Sequence, residues 1–83
     1  MNEKEIEKIL KALANRRRIV IVNLLRKRRV VSVGDIAREI KLSFNATSKH
    51  LKVLFSADIV DKNQVGLTMF YRISEQMPKA ARH

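Results

Sequence analysis

Leu42-Ser43-Phe44-Asn45-Ala46-Thr47-Ser48-Lys49-His50-Leu51-Lys52-Val53-Leu54-Phe55-Ser56-Ala57-Asp58-Ile59-Val60 decides how the rest of the chain is read. Ser43 stands where its hydroxyl can accept a hydrogen bond from a backbone N–H one turn further on, which starts a helix. Thr47, Leu51 and Leu54 then recur at helical spacing and form one buried stripe. The opposite face keeps short or basic polar side chains: Asn45, Ser48, Lys49 and Lys52. Such groups reach base edges and phosphates in a major groove, where acidic ones would be repelled. The segment from Ser43 to about Phe55 therefore has the make-up of a DNA-reading helix, followed by a β-hairpin.

A chain of 83 residues makes one domain. At that size roughly 60–65% of the unfolded surface is buried, enough for one modest core and too little for a deep catalytic cleft. The formal net charge of +10, from 18 Lys and Arg against 8 Asp and Glu, calls for a polyanionic partner, either nucleic acid or an anionic membrane surface. Cysteine is absent, which excludes disulfides, thiolate metal sites and cysteine nucleophiles and fits an intracellular location. The acidic N-terminus, Met-Asn-Glu-Lys-Glu, does not read as a secretory signal, and the longest apolar run, Ile19–Val22, falls far short of the ~20 residues that span a bilayer. A soluble protein, cytoplasmic or nucleoid-associated, is expected.

Outward from the opening stretch, Ile6, Ile9, Leu10 and Leu13 predict an amphipathic helix over Glu3–Ala14 with its acids in the first turn. Asn15 reads as a break and a new cap. A second helix is predicted from about Arg16 to Lys27, with Ile19, Val22 and Leu25, or else Ile21 and Leu24, turned inward. Strand is the rival reading of its Ile-Val-Ile-Val run. Val30-Val31 reads as a very short strand, and Ser32 as the cap of a third helix, with Asp35 placed to return the capping bond. Val33, Ile36, Ala37 and Ile40 form the buried face of that helix. Only Lys41-Leu42 separates it from the Ser43 cap, the spacing of a helix-turn-helix. Ile59-Val60 and Thr68–Ile73 are strand-like, with Asp61–Leu67 as the connecting turn around Gly66. The predicted fold is mainly α with a small antiparallel β-hairpin, a winged helix-turn-helix over residues 1–73, with 74–83 as a short C-terminal tail.

Four stretches resemble the ArsR family of bacterial and archaeal repressors: Leu10-Lys11-Ala12-Leu13-Ala14-Asn15, Arg18, Leu42-Ser43 with Ser48-Lys49-His50-Leu51-Lys52-Val53-Leu54, and Phe70-Tyr71-Arg72-Ile73. The resemblance implies that Phe44, Asn45, Ser48 and Lys49 face the major groove while the wing lies along the flanking backbone. Arg18 and Lys52 complete the expected DNA-binding set. It also implies a homodimer, since members of the family pair through the first helix and a C-terminal helix, and here the N-terminal helix is the expected contact. Metal sensing does not carry over. Where the family's arsenic and cadmium sensors place a Cys-x-Cys pair, this chain has Ser32-Val33-Gly34, and the Asp and His that its zinc sensors carry on a further C-terminal helix are not seen in the 83 residues. Asp58 replaces the usual glycine after the reading helix, and Asn63–Thr68 replaces a more basic wing tip.

Individual residues have plainer readings. Lys49 and Lys52 could be solvated surface charges, and Asn45 and Ser48 ordinary surface residues. His50, without Cys, Asp or a second His near it in sequence, is a poor metal ligand and is expected to be packed or bonded to phosphate. Phe44 is expected to pack against the turn or to touch a thymine methyl group. Phe70 and Tyr71 alternate across a strand, which puts one in the core. Between Lys11 and Arg29 there are eight cations and no acid, so attraction to DNA should come mainly from the second helix and its ends. The expected function is a sequence-specific, double-stranded-DNA-binding regulator of repressor type, without cofactor or metal effector. A winged-helix protein-interaction module and a nonspecific architectural DNA binder are the alternatives. No paired carboxylates, nucleophile–base set or glycine-rich phosphate loop supports an enzyme. Zn(II) or As(III) is expected to leave DNA affinity unaltered in a fluorescence anisotropy titration, and metal-dependent release would overturn that expectation.

Overall fold

A computed structural model describes residues 1–75; most of the expected tail, residues 76–83, lies outside the described residues. Helix α1 (Glu3–Leu13) is followed by α2 (Arg16–Arg28), strand β1 (Val31–Ser32), α3 (Val33–Ile40), α4 (Phe44–Ser56), β2 (Val60–Val65) and β3 (Thr68–Ile73). The three strands form an antiparallel sheet in the order β1-β3-β2. This is the winged helix-turn-helix expected from the sequence.

Each helix starts at a side-chain cap. Asn2 accepts from the Glu5 N–H at 2.9 Å, Asn15 from Arg18 at 3.2 Å, Ser32 from Asp35 at 3.1 Å and Ser43 from Ala46 at 3.1 Å. The Asp35 carboxylate does not complete a capping box; it pairs with Arg38 one turn on. The Asn15 cap also settles the Ile-Val-Ile-Val ambiguity in favour of helix. Once α2 starts at Arg16, Ile21 and Leu25 stand four residues apart on its inner face and are buried, Val22 and Leu24 flank them, and Ile19 turns outward, 45% exposed. The two inward registers considered for α2 are therefore mixed.

Between α3 and α4, Lys41 adopts the left-handed conformation (φ 56°, ψ 49°), and the Leu42 N–H reaches back to the Ala37 carbonyl at 3.0 Å. This is the helix-ending geometry usually given to glycine, here taken by a lysine at a cost of about 1–2 kcal/mol. Asp58, at φ 59°, occupies the left-handed position after α4 in the same way. Both turns hold because the elements they join are locked into one core.

That core contains Ile21, Leu25, Ile36, Leu51, Leu54, Ile59 and Val60, all essentially inaccessible, with Ile9 and Ala12 of α1 at one side and Val31 and Tyr71 of the sheet at the other. Tyr71 is buried and Phe70 is half-buried, as strand alternation requires. The hairpin departs from expectation in length. Ladder pairing continues from Val60↔Ile73 to Val65↔Thr68, so the residues read as a seven-residue turn are mostly strand, and the loop is only Gly66-Leu67. Gly66 at φ 62° supplies the positive φ that a two-residue type II′ turn needs at its first position. Ser74, expected in the tail, is buried and donates its N–H to the Ile59 carbonyl at 2.9 Å.

One core residue carries a cost. Thr47 is fully buried on α4, and its hydroxyl has no hydrogen-bond partner among the described residues. An orphaned buried hydroxyl costs about 1–3 kcal/mol. Valine fills the same volume without it, so Thr47→Val is expected to raise the melting temperature by several degrees; a lower melting temperature in a calorimetric scan would mean that the hydroxyl has a partner after all.

Candidate nucleic-acid interface

Helix α4 has 13 residues and is ~20 Å long, so its first two turns can lie in a major groove while the rest stays with the domain. Its orientation follows from burial. Thr47, Leu51 and Leu54 are inaccessible, which leaves Asn45, Lys49 and Lys52 on the opposite side with Ser48 at its edge. Asn45, Lys49 and Lys52 are exposed and Ser48 is partly so. No hydrogen bond or ion pair within the described residues engages these four side chains. Phe44, three residues before Thr47 and seven before Leu51, stands on the side of the buried stripe at the first turn of α4 and is 56% exposed there. Four of the six expected site residues thus share one outward face, and α4 carries no acid.

Arg18 is the exception. It sits in the first turn of α2, but its guanidinium points into the domain: Nε donates to the Ala12 carbonyl at 2.6 Å, Nη2 to the Lys11 carbonyl at 3.4 Å, and Nη1 lies 3.3 Å from His50 Nδ1. Those carbonyls belong to the last turn of α1, where backbone acceptors run out of intrahelical partners. Arg18 is therefore a fastener behind α4, with its guanidinium engaged there and not displayed on the face that bears Asn45 and Lys49.

His50 is packed, one of the two expected alternatives. Because a guanidinium can only donate, His50 Nδ1 must accept, which leaves its proton on Nε2. Burial, and then the positive charges of Arg18 and Arg17, hold its pKa below the ordinary 6.5, so the ring is neutral at pH 7.

Two contacts that sequence reasoning missed brace this face. Lys62 on β2 lies 4.4 Å above the centre of the Phe55 ring and ties the base of the wing to the end of α4. Arg28 bonds to Glu39 at 3.2 Å and joins the end of α2 to α3. Neither pair has a helical or strand spacing that could have revealed it. Among the described residues no group of His, Cys, Asp or Glu is arranged to hold a metal ion, and no helix is long and apolar enough to cross a membrane.

Comparison with known proteins agrees with this geometry. The pattern describing bacterial regulatory proteins of the arsR family matches residues 15–62, which run from the cap of α2 into β2. The transcriptional activator HlyU of Vibrio cholerae is 36% identical over 87 residues, covering 96% of this chain and 80% of that protein. Its structure superposes with a TM-score of 0.84 at 32% identity, over 98% of this chain and 89% of that one. The homodimeric winged helix-turn-helix DNA-binding domain Mb0332 of Mycobacterium bovis gives a TM-score of 0.80 at 31% identity, over 84% and 64% of the two chains. The transcriptional repressor PagR of Bacillus anthracis gives 0.77 at 29%, over 88% and 83%. A match over more than half the chain, on a helix-turn-helix whose reading face is open, places this protein in the arsR family of bacterial regulatory proteins, a DNA-binding transcriptional regulator and not an enzyme.

Proposed function

We propose that this regulator recognises a double-stranded operator by laying the outer face of α4 in the major groove, with Asn45, Ser48 and Lys49 meeting bases or phosphates, Phe44 touching a thymine methyl group and Lys52 reaching the backbone. The observation that carries this reading is the open polar face of α4, whose side chains have no partner within the described residues. Attraction at a distance comes from elsewhere. Residues 1–42 hold 12 basic and 5 acidic groups against 6 and 3 in 43–83, so the sequence-independent pull comes mainly from α2 and its ends. The wing tip, with Asn63, Gln64 and an exposed Leu67, adds little charge.

The working unit is a homodimer that meets its twin through α1. Ile6 (38% exposed) and Leu10 (61%) line an apolar strip with Ala14, bordered by Glu3, Glu7 and Lys11, on the side of α1 away from the core. The homodimeric state named for the Mycobacterium bovis relative supports the reading. Two α4 helices then read two half-sites. Its proposed action is repression, the activity named for the PagR relative, together with a cytoplasmic location and the absence of a metal effector.

Lys49→Ala is expected to weaken binding to a duplex selected from a random pool by about tenfold, as loss of one charged contact implies, with the melting temperature unchanged. Equal binding in a titration at physiological salt would remove Lys49 from the interface. Leu10→Asp is expected to move the protein to monomer in sedimentation equilibrium; a dimer that persists would place the contact elsewhere.

A further inference from the structure

We propose that Arg18 is a positioning residue for DNA recognition, which holds the end of α1 to His50 and so fixes the reading helix relative to the surface where two copies meet. The inference rests on the reading of α4 as the groove-facing helix and of α1 as the dimer contact.

One guanidinium spans three elements. It is rooted in α2, where the Asn15 cap holds its backbone N–H, and it donates to two carbonyls in the last turn of α1 and faces Nδ1 of His50 on α4. His50 lies between Lys49 and Leu51, next to the outward face on one side and the core stripe on the other. Apolar contacts alone let a helix roll by a few degrees at little cost, because burial is nondirectional. A hydrogen bond to a planar fork has a fixed direction. In a dimer joined through α1, a roll of α4 changes the spacing between the two reading faces, so the Arg18 link bears on discrimination between operator and random DNA more than on attraction to phosphate.

The link also has a condition. It exists only while His50 Nδ1 has a free lone pair. The groups acting on His50 are Arg18 and Arg17 of α2; on the α1 side Lys11 turns its ammonium to Glu7 at 3.8 Å, and no charge on α3 or β2 contributes among the described residues. No carboxylate compensates an imidazolium there. When the ring takes a proton it stops accepting and stands as a cation against two others, and the fastener opens. Acid also works against the fold itself, since an unfolded chain holds His50 at its ordinary value of 6.5 and protonates first.

The test compares affinity for a selected duplex with affinity for a random duplex of the same length, so that general changes in stability and charge cancel. In the wild type the ratio is expected to fall about tenfold as the pH is lowered from 7 through the titration of His50, which lies below the ordinary 6.5, the loss of one charge-assisted hydrogen bond. Arg18→Lys, which keeps the charge but not the fork, lowers the ratio at pH 7 and flattens its pH profile. His50→Gln, whose amide oxygen accepts the same bond without titrating, also flattens the profile and keeps the ratio at its acid end above that of the wild type. Imidazole nitrogen-15 shifts give a reading free of DNA: the Nε2–H form in the wild type, lost in Arg18→Lys. A wild-type ratio that does not change with pH, or an Arg18→Lys protein that discriminates as the wild type does, overturns this proposal alone. A wild type with no preference for any duplex overturns it together with the reading of α4.

Discussion

Burial of one stripe on α4 governs the molecule. Thr47, Leu51 and Leu54 are fully enclosed, and α1, α2, α3 and β2 all pack against the helix that bears them. A domain this small has a single core, and each enclosed leucine contributes about 1.5–3 kcal/mol to it. The opposite side of α4 is then forced into solvent whatever its composition. The outward surface is a consequence of how the domain is held together, and the polar side chains there are free to be chosen for what they contact.

Charge and recognition are separated in space. The cations of α2 and its ends supply a broad positive field, while α4 carries only two lysines among short neutral side chains. Phosphate attraction is insensitive to sequence and fades with salt, whereas base contacts depend on where a few atoms sit. The second demand makes the placement of α4 matter. It is met by directional contacts at both ends of the domain, with Arg18 on His50 at the α1 side and Lys62 on Phe55 at the wing.

Arg18 shows where sequence reasoning stops. Its position in a basic run, and the family resemblance, pointed it at DNA. The run is not uniform, because the Asn15 cap sets the phase of α2 and turns the third arginine inward while Arg16 and Arg17 stay exposed. Its acceptors are two carbonyls at a helix end and a ring 32 residues away. No side-chain pattern marks which helix-end carbonyl will accept from a distant residue.

Local chemistry determined much of this protein in advance: four helices in order, the helix-turn-helix spacing, the stripe that buries α4, the alternation of Phe70 and Tyr71, and the polar face that α4 turns outward. These follow from periodicity and capping, which act within a turn or two of the chain. The phase of α2, the extent of β2, the inward turn of Arg18, the Lys62–Phe55 and Arg28–Glu39 pairs and the burial of Ser74 were decided only by tertiary structure. Each depends on which groups from distant parts of the chain come to share one small core, where a polar atom left without a partner costs more than a side chain redirected to supply one.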